Sequence, residues 1–588
     1  MGSRRRRQIV TVALVAAVAT AAFLTAGAGA NRISPSGKAS VKDYPRSQTL
    51  ITSGTQWGNI AGTNPYTNHP AGMNGLVYET LLRFNPVSGK YINWLASGAK
   101  FTGAKQYTVT VRSGVKWADG TPFTGKDVAW NINLGRYNTA SWNVLWQNLK
   151  QIKVSGNTVT INFKTTPNYV QWQNFMWNQF MIEPAQASPL IKNATDLTTF
   201  NPSNPIGTGP YAIDSMDVTT RVVYARKAHW WASDQGVSPA PAPKYIIDLV
   251  NTSNTNALSG VLSGLEDLNN NYLPGAEKLA DSGQVLTYFK GAPYMQTANT
   301  AWLEPNTTVK PLNDPAFRKA LAESININQI VTQDYDNVVL PASPAGLLPT
   351  WSSYVDKSAV AADGFKYGTS QAVADLTAAG YKKGSDGYFN NKDGSNINLD
   401  ISVPQGWSDW EAARDMIVPD AKAAGIKLTV KVKDYNTWAS DRNTGNYDLV
   451  IDNPAQLSDN PWTMYNLIYH QPIIGSGTGQ TFANFERFGS SAGDQADATT
   501  AWNNVVKLDK TPLTNTAQIK TLNSALQTTL MKDLPVIPLW YNGIWAQFTS
   551  KYWTNWPSSS TSRKYTPAMW NGYLNMTGID VITHLKKK

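Results

Sequence analysis

Two stretches of the chain alternate strictly between apolar and polar residues. In the first, Ile397, Leu399, Ile401 and Val403 are interleaved with Asn398, Asp400 and Ser402. In the second, Ile426, Leu428, Val430 and Val432 are interleaved with Lys427, Thr429 and Lys431. A period of two predicts strands with one buried face. Between them, Asp409 to Ala424 reads as a helix that stops at Gly425, with Pro419 as its expected kink. Strand, helix and strand make a βαβ unit, so the strands are expected to be parallel with a right-handed crossover. Leu449-Val450-Ile451 follows as a further apolar strand. Upstream, Asp314 caps a helix with Pro315 at its first position, and Phe317, Leu321, Ile325 and Ile330 keep helical spacing. A second helix runs from Ser370 through Val373 and Leu376 to Gly380.

In open parallel sheets, ligands sit beyond the carboxyl ends of the strands. The first strand runs out into Pro404-Gln405-Gly406-Trp407-Ser408-Asp409-Trp410. The later one runs out into Asp452-Asn453-Pro454, followed by Asn460-Pro461-Trp462. This topology predicts that Trp407, Trp410 and Trp462 line one cleft with Asn453 and Asn460. The competing expectation is that these tryptophans are core, where most tryptophans are largely buried. Trp57, Trp302, Trp540 and Tyr541 complete the set of candidate ligand-binding residues.

Length changes the picture to a chain of several parts. At about 150 residues per domain, 588 residues amount to roughly four domains' worth. Charged residues make up only 15 %, while 22 Trp, 26 Tyr and 16 Phe fill the deficit together with neutral polar groups. That balance excludes a disordered chain, and a single long apolar run excludes a multi-span membrane protein. The absence of cysteine excludes disulfides, thiolate metal sites and cysteine nucleophiles. The net charge of +11 is concentrated at the ends, in Arg4–Arg7 and Lys586–Lys588. The rest reads as a mildly basic surface without the clustered stripe of a nucleic-acid binder.

The first 30 residues read as an address. Arg4–Arg7 form a positive region, Ile9 to Leu24 an apolar one, and Ala28-Gly29-Ala30 a cleavage site before Asn31. Arg6-Arg7 also suits a twin-arginine signal, and an uncleaved anchor is the alternative to cleavage. Residues 31–45 read as a flexible spacer.

Motifs for catalysis fail on inspection. Gly120-Thr121-Pro122-Phe123-Thr124-Gly125-Lys126-Asp127 nearly matches a phosphate-binding loop, but Asp127 stands where the pattern needs a hydroxyl for magnesium. A turn followed by a capped helix is expected instead. Gly489-Ser490-Ser491-Ala492-Gly493 matches a nucleophile elbow, yet Phe485-Glu486-Arg487-Phe488 before it is not a buried strand. Of the four histidines, His584 is read as lying in the terminal tail, and none of His69, His229 and His470 stands at metal spacing with another. The chain is expected to be neither an enzyme nor a metal or cofactor carrier. A secreted glycosidase using acids such as Glu304, Asp409 and Glu411 is the remote alternative.

Several stretches resemble the family 5 solute-binding proteins of ABC importers, the dipeptide and oligopeptide-binding type. Tyr78-Glu79-Thr80-Leu81-Leu82-Arg83-Phe84 is similar to one signature of that family. So is Val111 to Val128, which contains the false phosphate loop. Pro205-Ile206-Gly207-Thr208-Gly209-Pro210-Tyr211, His229-Trp230-Trp231, Pro311 to Leu321 and Asp533 to Leu539 follow in family order.

The resemblance implies an α/β, two-lobed periplasmic-binding-protein-like fold of class II with an inserted domain and a hinge between the lobes. The boundaries it implies are 46–86, 205–298 and 531–588 for lobe I, 87–204 for the insert and 299–530 for lobe II. It also implies a monomer on the outer side of the membrane that hands its ligand to membrane permease subunits. One departure bears on the ligand. Peptide binders of the family pair the ligand's ammonium with an Asp, and alignment on Pro461 puts Leu457 there, with Asp452 and Asp459 near but out of register. An oligosaccharide is therefore preferred over a peptide, because aromatic faces and amides suit sugar rings and hydroxyls.

Overall fold

The alternating segments pair as their pattern requires. In the computed structural model, Leu399–Pro404 and Leu428–Lys433 run parallel, with Leu399 opposite Leu428 and Val403 opposite Val432. Leu449–Asp452 joins the other side of the first strand, again in parallel. The intervening helix is Ser408–Ala423 and retains Pro419 in its interior. The structure describes residues 43–57, 59–67, 71, 75–455, 457–473, 483–569 and 576–588. The signal and nearly all of the spacer lie outside the described residues.

Strand position decides which alternating faces are buried. Leu399–Pro404 is an inner strand, so Ser402 on its polar face is buried as well. Leu428–Lys433 is the sheet's outermost strand, and its apolar face thins out until Val432 is 63 % exposed.

Two six-stranded sheets organise the chain. The first has the order Gln547–Phe548, Leu268–Asn269, Thr49–Trp57, Tyr245–Asn251, Arg221–Arg226 and Tyr211–Asp217. Three of its four inner strands, those from 49, 245 and 268, are mutually parallel. The second has the order Leu340–Pro341, Ile537–Gly543, Thr297–Pro305, Leu449–Asp452, Leu399–Pro404 and Leu428–Lys433. A four-stranded antiparallel sheet is formed entirely within residues 96–163, inside the stretch expected as the insert.

Among the described residues the chain passes between the two large sheets on two neighbouring strands. Thr297–Pro305 enters the second sheet and Ile537–Gly543 leaves it, and the two are hydrogen-bonded antiparallel from Thr297 opposite Gly543 to Leu303 opposite Ile537. This corrects the boundary expected at residue 531. The 537–543 strand belongs to the second sheet, because its backbone is paired there on both sides. The chain rejoins the first sheet only at Gln547.

Three local expectations meet the structure differently. Phe317 and Leu321 lie on the helix Pro315–Ser324, but Ile330 belongs to a separate helix, Ile327–Gln333. The break falls where Asn326 caps the second helix through Gln329 N and gives its own N–H to Asp420. The residues after the false phosphate loop do form a capped helix, Gly125–Asn133, with a reciprocal Thr124–Asp127 capping box. His584 does not lie in a loose tail. It ends the helix Gly578–His584, after which Lys586–Lys587 pairs with Trp553–Thr554.

Three of the family-like stretches, around Glu79, Gly209 and Trp231, lie against one another or against a shared neighbour. Glu79 is buried and accepts from Trp94 Nε1 at 2.9 Å and Trp231 Nε1 at 2.7 Å. Gly209 N donates to Val77 O, and Tyr211 N to Leu76 O.

Candidate ligand cleft between the lobes

The carboxyl ends of the parallel strands of both sheets meet. Past the end of Tyr245–Asn251, the Asn254 side chain donates to Asp409 Oδ1 at 3.0 Å and to Ser408 Oγ at 3.2 Å. Ser408 and Asp409 open the helix that follows Leu399–Pro404. Tyr272, just past Leu268–Asn269, packs edge-on against Tyr335 and Trp545 and donates to Asp334 O at 3.3 Å. The lobes therefore touch at their strand ends, and the two crossing strands run between them.

Amides bridge the crossing strands to the end of Leu449–Asp452. Asn299 Oδ1 accepts from Asn542 Nδ2 at 2.9 Å and from Asn453 Nδ2 at 3.2 Å. Asn542 Oδ1 accepts in turn from Trp540 Nε1 at 2.6 Å. Of the nine sequence candidates, this chain of hydrogen bonds includes Asn453 and Trp540. Asn299 and Asn542 escaped the sequence reading, since they lie on strands whose crossing role the pattern does not reveal.

The acids near Pro461 are already engaged. Asp452 is ion-paired with Arg442, whose guanidinium lies 4.2 Å from the Phe485 ring and 5.1 Å from the Trp438 ring. Asp459 accepts from Tyr91 OH and from Asn460 Nδ2. Leu457 is 3 % exposed within the first core. Behind Asp452, Glu304 is wholly buried and accepts from Tyr447 OH at 3.0 Å and Trp302 Nε1 at 3.3 Å. Burial, reinforced by the Asp452 charge, pushes the Glu304 carboxyl up to about 8.

The predicted aromatics separate into different surroundings. Trp407 is half-buried, lies nearly parallel to Tyr435 at 5.9 Å and meets Trp410 edge-on at 4.8 Å. Trp410, Trp302 and Trp540 are buried, and Trp410 and Trp540 belong to the second core. Trp462 lies in the first core with its Nε1 on Val505 O, so it is not brought into the Trp407 group. Tyr541 donates to Leu347 O at 2.6 Å and accepts from Ser343 N at 2.9 Å. The half-buried Asn460 holds the turn before Trp462 by accepting its N–H. The Trp57 side chain lies outside the described residues.

Tyr435, Trp438 and Arg442 join this group although the sequence reading did not single them out. Tyr435 opens the helix after Asp434, just past the end of Leu428–Lys433, so the strand-end rule applied to that third strand finds it. Among the described residues fifteen tryptophans are buried, and the half-buried ones are Trp130, Trp146, Trp407, Trp502 and Trp545. The cores thus take most of the aromatic load that composition alone left free for a ligand.

Several buried carboxyls set the pH response. Burial raises Glu266 to about 7, Asp334 to about 8 and Asp409 to about 6, alongside Glu304. Each keeps its proton in the folded chain at a pH where the unfolded chain has lost it. Their contribution to stability is complete below about pH 4 and is lost as pH rises towards about 8. Thermal unfolding is expected at a higher temperature at about pH 5.5 than at about pH 8.5, and an unchanged or rising midpoint would contradict these environments.

Two α/β lobes joined by a pair of strands, with the carboxyl ends of their parallel strands facing one another, define a two-lobed solute-binding protein. Comparison with known proteins agrees. The family model of bacterial extracellular solute-binding proteins, family 5 (Middle), matches residues 90–476. A structure of a periplasmic oligopeptide-binding protein of an oligopeptide ABC transporter from Thermotoga maritima is 31 % identical. It covers 93 % of this chain and 100 % of its own, with a TM-score of 0.85. The mannohexaose-bound structure of that protein gives a TM-score of 0.83, with 31 % identity over 93 % of this chain and 99 % of its own. A probable ABC transporter-binding protein of Deinococcus radiodurans is 25 % identical over 389 residues, 61 % of this chain and 64 % of that relative, less than two thirds of its length.

The chain belongs to the family 5 bacterial extracellular solute-binding proteins, and so to the binding components of ABC transporters. No described helix is long and apolar enough to cross a membrane.

Proposed function

We propose that the chain captures a neutral oligosaccharide between its lobes and delivers it to the permease of an ABC importer. The observation that carries this reading is the state of the acids near Pro461. A peptide's ammonium, buried in a closed cleft, needs a carboxylate partner. Leu457 offers none, Asp452 is taken by Arg442, and Asp459 is held by Tyr91 and Asn460. A sugar needs aromatic faces and amides, which Trp407, Tyr435 and Asn453 supply near the strand ends. The mannohexaose bound to the Thermotoga relative supports the same reading.

Calorimetric titration with di- to hexasaccharides of β-linked mannose, glucose and xylose, beside a peptide mixture, tests it. Binding of one saccharide series is the expected result. Tight peptide binding that disappears on N-acetylation would establish an ammonium anchor and reverse the reading. Trp407→Ala is expected to weaken saccharide binding by about 1–3 kcal/mol while unfolding stays cooperative. Unchanged affinity would remove Trp407 from the site.

Export completes the proposal. The order of basic region, apolar region and Ala28-Gly29-Ala30 supports a mature chain beginning at Asn31. Sequencing the N-terminus of the exported product checks this, and a full-length membrane-retained product would contradict it.

A further inference from the structure

One face of the first lobe gathers positive charge that nothing in the binding cleft uses. The last strand, Lys586–Lys587, lies antiparallel to Trp553–Thr554. Lys588 donates its backbone N–H to Tyr552 O and its Nζ to Ser550 O, both at 3.0 Å. These pairings set Lys586, Lys587 and Lys588 beside Lys551, and all four are exposed. The Tyr565 ring lies 4.8 Å from that of His584, which brings Arg563 and the exposed Lys564 to the same edge.

The start of the described chain is anchored here too. Arg46 lies 4.1 Å from the Tyr552 ring, and Trp553 Nε1 donates to Thr49 O. Two nearby carboxylates are committed elsewhere: Asp267 takes Arg46 through two hydrogen bonds of 2.7 and 2.9 Å, and Asp580 is ion-paired with Arg83. Among the described residues, Lys551, Lys564, Lys586, Lys587 and Lys588 make no ion pair with an acidic side chain.

We propose that this face rests on an anionic phospholipid surface. Lys588 Nζ rests on the neutral Ser550 O and Lys551 on the Tyr552 ring, so with no carboxylate within ion-pair distance their charge remains available to an external anion. Their rigid placement on one edge lets them act together, within a screening length of about 8–10 Å at physiological salt. An extracellular binding protein held this way stays near the membrane that contains its permease.

The test uses the chain from Asn31, which keeps whole the compact unit beginning at Val41. It is sedimented with vesicles of phosphatidylcholine mixed with phosphatidylglycerol, and with phosphatidylcholine alone. Binding is expected only to the anionic vesicles and is expected to be lost at about 1 M salt, where the screening length is about 3 Å. Each basic residue near an anionic bilayer multiplies partitioning about fivefold. Replacing Lys551, Lys586, Lys587 and Lys588 together by Gln is therefore expected to lower it by two to three orders of magnitude.

Replacing four exposed lysines elsewhere, Lys366, Lys382, Lys427 and Lys520, by Gln removes the same net charge and is expected to leave most of the binding. Equal loss in both variants would show a net-charge effect and overturn the proposal, as would equal binding to neutral vesicles. If the first variant fails to fold, the salt titration of the unaltered chain together with the second variant still decides the matter. Binding to a soluble anionic wall polymer with no binding to vesicles would assign the face to a different partner.

Discussion

Arg318→Met is expected to destabilise the protein by about 3–5 kcal/mol, the usual cost of breaking a buried ion pair by removing one partner. The Arg318 and Asp494 side chains are both wholly buried. Arg318 Nη2 and Nη1 reach the two carboxylate oxygens of Asp494 at 2.9 and 3.3 Å. Nη1 also donates to Leu312 O at 2.7 Å, and Nε to Asp533 O at 2.8 Å. Methionine can fill much of the space but supplies no donor. Asp494 is then left with Ser491 Oγ at 2.9 Å, and two buried carbonyls lose a partner. Urea unfolding, read as a fall in midpoint at constant slope, measures the effect. Adding Asp494→Leu is expected to recover part of the loss, because it removes the stranded charge. A single variant within about 0.5 kcal/mol of the parent would mean that the pair is hydrated.

Gly207→Ala is expected to have an effect of similar size for a steric reason. A Cβ at residue 207 would stand 1.9 Å from Val77 O and 2.6 Å from its carbonyl carbon. Both are backbone atoms of a segment whose carbonyl already accepts from Gly209 N at 2.9 Å. Real Cβ contacts are never so short, so the 76–78 and 207–211 segments must part, and overpacking of this kind costs about 3 kcal/mol or more. Poor soluble yield and a lowered thermal midpoint are the expected readings. Parent-like stability would mean that the two segments do not meet this closely.

Those two sites show what could be read from the chain and what could not. Arg318 and Gly207 both stand in stretches that resembled the family before any contact was known, so the resemblance marked the residues without giving their roles. The βαβ unit at 399–433 was legible because alternation and a Gly stop are local signals. The split at Ile325–Asn326 was not, because the apolar spacing continues across it while Asn326 answers to Asp420, 94 positions away. The cleft was legible as an edge, from the rule that ligands gather at strand ends. Its membership was not. The same loops that carry Trp407 also carry Trp410 into the core, and burial is a property of the partner surface rather than of the loop. The strand 537–543 was expected in the first lobe because it is buried throughout and its sheet is chosen by pairing alone.

The order of the strands in the first sheet also has a consequence for synthesis. The four-stranded sheet pairs only within residues 96–163, so it can close while the rest of the chain is still being made. The first sheet cannot: its edge strand is Gln547–Phe548, and Trp553 reaches back 504 positions to Thr49. Contacts of such separation form slowly and leave the Leu268–Asn269 edge open until the chain is almost complete. A chain cut after Gly543 would keep every strand of the second sheet and lose the edge and cover of the first. Damage at the carboxyl end would therefore be felt as instability around the amino-terminal strand.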